Sequence, residues 1–103
     1  DLSPTLNACK QLLAQHYGDK LVSVILYGSA ARQDLRPDSD IDLLILLQSP
    51  FPYFQELRSI VDLLYPLQLE AKYWISAKPA SQEDFEQGST QLYRNIQAEG
   101  IRI

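Results

Sequence analysis

Residues 26–47 read Leu26-Tyr27-Gly28-Ser29-Ala30-Ala31-Arg32-Gln33-Asp34-Leu35-Arg36-Pro37-Asp38-Ser39-Asp40-Ile41-Asp42-Leu43-Leu44-Ile45-Leu46-Leu47, and this stretch decides the fold. It joins the end of one apolar run, Leu21 to Tyr27, to a second, Asp40 to Leu47. Runs this short and this rich in β-branched and aliphatic residues suit buried strands. Gly28 breaks the first run, and Ser29 to Arg32 has room for one turn of helix. Gln33 to Ser39 is polar and holds Pro37, which makes it a loop.

The two junctions carry the chemistry. A glycine that closes a buried strand lets the chain turn sharply and leaves the next amides, with the Ser29 hydroxyl, at a helix N-terminus able to hold phosphate oxygens. Ten residues separate Ser29 from Asp40. Asp40 and Asp42 lie two apart at a strand start, so both side chains leave the same face, close enough to share hard divalent cations. Paired carboxylates repel, and a cation between them removes that cost. The plainer readings are a strand-ending turn at Gly28-Ser29 and a solvated strand end at Asp40 and Asp42.

Working outward, Ser3 is expected as the N-cap and Pro4 as the first residue of a helix in which Leu6, Cys9, Leu13 and Tyr17 recur, stopped by Gly18. After a Ser49–Pro52 loop, Tyr53 to Leu64 is a helix with Phe54, Leu57, Ile60, Val61 and Leu64 on one side, ended by Pro66. Leu67 to Ile75 alternates, with Gln68, Glu70 and Lys72 on one face, and predicts a half-buried third strand. Ser81 to Glu86 and Thr90 to Ala98 predict two short helices around Gly88, and Gly100 to Ile103 a closing edge strand. The sum is an α/β chain: a small mixed β-sheet with helices packed mainly on one face, in a single domain spanning 1–103. Cys9 and Trp74 are expected in the core, His16 in a capping or surface role, and Phe51, Tyr53 and Phe54 in packing.

Composition sets the limits. A chain of 103 residues buries roughly two thirds of its unfolded surface, enough for one modest core. Hydrophobic residues at 46% and charged residues at 21% are those of an ordinary globular protein. A net charge of −4 gains little from counterion release, which argues against direct nucleic-acid binding, yet leaves room for a metal-bound nucleotide. One cysteine allows no intrachain disulfide and suits the cytoplasm. No apolar run approaches the roughly 18 residues of a membrane span.

Gly28-Ser29, the ten-residue gap and Asp40-x-Asp42 resemble the signature of the DNA polymerase beta-like nucleotidyltransferase superfamily. Gly28-Ser29-Ala30-Ala31-Arg32 looks like its minimal nucleotidyltransferase branch, as does the close from Leu92 to Gly100. The resemblance implies a palm-like nucleotidyltransferase fold and a magnesium-dependent, two-metal, in-line displacement. Asp40 and Asp42 would bridge two Mg2+ ions. A third carboxylate on a neighbouring strand would complete the site, and Glu70 is the candidate, although the family usually has aspartate there. Asp62 is the alternative by charge, and pairing with Lys72 is the plainer role for Glu70. Gly28 and Ser29 would cradle the departing phosphates, with Arg32 adding positive charge. Because similar chains are often antitoxins of HEPN-type RNase toxins, the resemblance also implies AMP transfer from ATP to a tyrosine of such a partner. The rival is a binding module that masks its partner. Truncated edges make self-association plausible.

Overall fold

The computed structural model describes residues 1–103. Its centre is a hairpin-like pair of strands, β1 (Leu21–Tyr27) and β2 (Asp40–Leu47), running antiparallel with Leu26 opposite Leu43 and Tyr27 opposite Asp42. The connection between them contains α2 (Gly28–Ala31). A helix α1 (Ser3–Tyr17) and a 3-10 turn at Gly18–Lys20 precede β1. After β2 come α3 (Tyr53–Glu70), β3 (Trp74–Ser81), α4 (Gln82–Glu86), α5 (Gln91–Glu99) and β4 (Ile101–Arg102). The sheet order is β3-β2-β1-β4, with β3 parallel to β2 and β4 antiparallel to β1, which is the mixed sheet the sequence implies.

Alternation along β2 divides the core. Ile41, Leu43, Ile45 and Leu47 face α1 and α3 and pack with Cys9, Leu13, Ile60 and Leu64. Leu44 and Leu46 face the other way, against Phe85 of α4 and Ile96 of α5. The two long helices therefore share one face, while two short ones cover only part of the other. Burying each of these Leu or Ile side chains contributes on the order of 1.5–3 kcal/mol, so β2, apolar on both faces, anchors the domain. Asp40 and Asp42 stand on the thinly covered face, at the end of β2 beyond Leu44. No helix is long and apolar enough to cross a membrane.

Several local expectations change. Ser3 is already helical, with Leu2 at the N-cap position. Asp1 Oδ1 accepts the Ser3 amide at 3.1 Å, while Pro4 lies in the first turn as expected. Ser81 and Thr90 act as side-chain N-caps, accepting the Asp84 and Tyr93 amides at 3.3 and 3.1 Å. Cys9 is fully buried, but Trp74 is 62% exposed and Phe54 is 79% exposed, so neither belongs to the core.

The largest change is at Pro66, which does not end α3. Proline deprives the Asp62 carbonyl of its helical partner, but Asp62 and Pro66 are both exposed, so water can take the bond. Meanwhile Ile60, Leu64, Leu67 and Ala71 keep helical spacing toward the core, and burial along that stripe outweighs the four-residue alternation that predicts a strand. The third strand accordingly starts at Trp74 rather than Leu67. Gln68, near the C-terminal end of α3, ties the two elements together: its amide nitrogen donates to the Tyr73 carbonyl at 3.1 Å and its oxygen accepts the Ile75 amide at 2.6 Å. Replacing Gln68 with Ala leaves both backbone groups without their partner, and we expect a loss of about 1–3 kcal/mol in urea unfolding. An unchanged midpoint would show that water replaces the side chain at no cost.

Candidate active site

The site is built where β1 ends and β2 begins. Gly28 adopts φ +72°, and a Cβ placed on it would land on the Asp42 Oδ2 atom. Only glycine allows the turn and the close approach together. Ser29 follows in the first turn of α2, whose opening amides have no helical acceptor; its own carbonyl accepts the Asp34 amide at 2.9 Å and closes the turn. Asp40 is exposed and Asp42 half-buried, both on the face away from α1 and α3.

Positive groups offset part of the charge around the pair. The Asp42 carboxyl is held above its usual value, first by burial and then by the negative charge of Asp40, while Lys78 and Arg32 pull it back. Arg32, the C-cap of α2, reaches the Glu99 carboxylate at 3.4 Å on the surface. Tyr27, opposite Asp42, has its phenol pushed up to about 12, by burial first, then by Asp42, Tyr53 and Tyr93, so it stays protonated at neutral pH.

The parallel pairing of β3 decides which side chains flank the aspartates. Asp40 pairs with Trp74, Asp42 with Ser76 and Leu44 with Lys78, each partner facing the same side as its neighbour. Glu70 is elsewhere: it is the last residue of α3, exposed, because the helix runs through Pro66. It joins no cluster with the aspartates, and no group of three or more His, Cys, Asp or Glu side chains capable of holding a metal exists in the chain. It does not pair with Lys72 either, whose ammonium lies 5.5 Å from the centre of the Tyr73 ring. Asp62 is on the exposed side of α3, 3.9 Å from Arg58. The structure thus brings together Gly28, Ser29, Asp40 and Asp42, keeps Arg32 within electrostatic reach, and leaves Glu70 outside. Sequence reasoning overlooked Ser76 and Lys78. Their signal was the alternation of Trp74, Ser76 and Lys78 with Ile75, Ala77 and Pro79, hidden by placing the strand too early.

A family model described as a nucleotidyltransferase domain matches residues 6–102. The chain belongs to that nucleotidyltransferase family. Among curated relatives, this nucleotidyltransferase is 34% identical over 89 residues to "Putative protein adenylyltransferase MJ0604" of Methanocaldococcus jannaschii, covering 85% of this chain and 83% of that one. It is 31% identical over 45 residues to the spectinomycin 9-adenylyltransferase of Enterococcus faecalis, which amounts to 44% of this chain and 18% of the relative. Among solved structures, the Enterococcus spectinomycin adenyltransferase AAD(9) with ATP and spectinomycin superimposes with a TM-score of 0.74 at 17% identity, over 100% of this chain and 56% of that one. A toxin–antitoxin structure with AMP-PNP gives 0.63 at 18% identity, over 92% and 69%. These two structural likenesses concern the fold.

Nucleotidyltransferases of this family are typically metal-dependent, so the donor set matters. Two carboxylates on one strand face, approached by a glycine turn without a Cβ, suit one hard divalent cation completed by phosphate and water oxygens. A cage of three carboxylates does not fit, because β3 offers Trp74, Ser76 and Lys78 at the facing positions.

Two outcomes follow for stability. Gly28→Ala should cost about 1–2 kcal/mol from the positive-φ backbone alone, and more because the added Cβ meets the Asp42 carboxylate. In an Asp42→Ala background the same substitution should cost less, and equal losses in the two backgrounds in urea unfolding would refute the contact. Folding favours protonated Asp42, so its contribution to stability is largest below the ordinary carboxylate range and is lost as pH rises through its raised native value. Without divalent cations, Asp42→Asn should therefore raise Tm by a few degrees at pH 7 and flatten the pH profile in that window.

Proposed function

We propose that this nucleotidyltransferase moves AMP from ATP, with Mg2+, onto a hydroxyl of a partner protein, and that the partner is a HEPN-type RNase toxin neutralised by the modification. The observation that carries the reading is the pair Asp40 and Asp42 on one strand face, packed against the Gly28 turn. The likeness over most of both chains to a relative named for protein adenylylation supports a protein acceptor. The MntA-HpeT toxin–antitoxin among the structural neighbours, with a TM-score of 0.64 at 18% identity over 94% of this chain and 69% of that one, suggests the kind of partner.

Each residue has a task in this reading. Asp40 and Asp42 would hold the cation at the end of β2, beside the glycine turn. When bound, magnesium would supply positive charge to the phosphoryl oxygens while pyrophosphate leaves. Gly28 lets the triphosphate approach the backbone, and Ser29 with the first amides of α2 offers hydrogen-bond donors to it. Arg32 adds a second positive charge once it leaves Glu99, an exposed pair worth little by itself. Most of the rate comes from positioning and charge neutralisation.

The missing third carboxylate favours one rival, in which the chain binds its partner and masks it without chemistry. Its net charge of −4 would complement a basic RNase surface. Incubation with α-labelled ATP, Mg2+ and the product of the neighbouring gene separates the two. Label on the neighbour, lost by at least about 100-fold with Asp42→Asn, is the expected result for charge-stabilised transfer. Complex formation without label, unaltered by Asp42→Asn, would establish masking instead.

A further inference from the structure

The face of the sheet around the aspartates holds a cation that the reaction as described does not use. Lys78 sits on β3 opposite Leu44, one step along the same face from the Asp42–Ser76 pair, and it is half-buried. The two ion pairs of the chain are Arg32–Glu99 and Arg58–Asp62, so Lys78 is committed to no carboxylate. Its field nevertheless reaches Asp42. A partly buried ammonium gives up part of its hydration and gains from an anionic partner in exchange. Meanwhile the strand that carries it presents no acidic side chain toward Asp40 and Asp42: its facing residues are Trp74, Ser76 and Lys78.

From this arrangement we infer that the site works with one divalent cation, held by Asp40 and Asp42, and that the Lys78 ammonium takes the place of a second one by binding the phosphates of the nucleotide. The inference rests on the nucleotidyltransferase reading and departs from its two-cation form. A second cation needs further carboxylates to hold it, and β3 supplies a positive charge instead. Arg32 is tied to Glu99, so of the two cations whose fields reach Asp42, Lys78 is the one free to meet phosphate. Lysine suits this task because its flexible stem lets three donors follow phosphate oxygens.

The test counts ions and measures nucleotide affinity on the whole chain. Mn2+ titrated into the protein with a non-hydrolysable ATP analogue, followed by electron paramagnetic resonance, should saturate at one ion per chain; two would overturn the inference and leave the nucleotidyltransferase reading standing. No Mn2+ and no nucleotide bound would overturn both. Fluorescence of Trp74, the sole tryptophan and the register partner of Asp40, reports analogue binding independently of turnover. Lys78→Met keeps the apolar stem and removes the charge, and should weaken the analogue by about tenfold or more, the effect of losing a charge-assisted hydrogen bond. Lys78→Arg should recover most of that loss. Equal affinity for wild type and Lys78→Met, with the variant melting normally, would rule Lys78 out.

Discussion

The contact between the Gly28 backbone and the Asp42 carboxylate organises everything else in this chain. It exists because β1 and β2 are paired antiparallel with Tyr27 opposite Asp42, so that the residue after the strand end falls beside the second aspartate. A side chain at that point would push the carboxylate away, and a right-handed backbone would send α2 in another direction. The glycine turn and the aspartate pair are thus a single geometric unit, fixed by strand register rather than by the residues' own preferences.

That unit is held by unequal coverage of the sheet. The face under α1 and α3 is closed by two long helices and carries the larger core, while the opposite face is closed only where α4 and α5 lie over Leu44 and Leu46. Asp40 and Asp42 occupy the end that the short helices do not reach. There they keep contact with solvent while their strand is anchored by five consecutive buried residues, Leu43 to Leu47. Rigid support below and open space above is what a site for a charged substrate requires. A cleft of about 440 Å³, lined by His16, Tyr17, Lys20, Phe51 and Glu56 among others, lies at the opposite end of β2 and is distant from this chemistry.

How far the sequence discloses this arrangement depends on how local each signal is. The first two strands, the glycine turn and the aspartate pair are visible because a run of β-branched residues, a breaker and a spaced acidic pair lie within 27 consecutive positions. The capping residues Ser81 and Thr90 are local signals too, although each falls one place before the helix that contains it in the sequence reading. Glu70 misled because two periodicities overlap at Leu67 to Glu70. The choice between them is made by the core that Leu67 and Ala71 meet, which no short window contains. The error then moved the third strand and hid Ser76 and Lys78. Trp74 misled differently: large aromatic side chains usually find cover, and on an edge strand beside a solvated site this one does not.

The hold of Gln68 on Tyr73 and Ile75 has a consequence for the sheet's outer border. The amides of Ile75, Ala77, Pro79 and Ser81 share one parity along β3, on the side away from β2. Gln68 occupies the first, and the third has no hydrogen to donate, so at most two donors remain on that side. An incoming strand would find too few bonds there to zip alongside, which protects the molecule from fibril-like stacking at this border. The two-residue β4 closes the other side so briefly that neither rim of the sheet offers a long template for unwanted polymerisation.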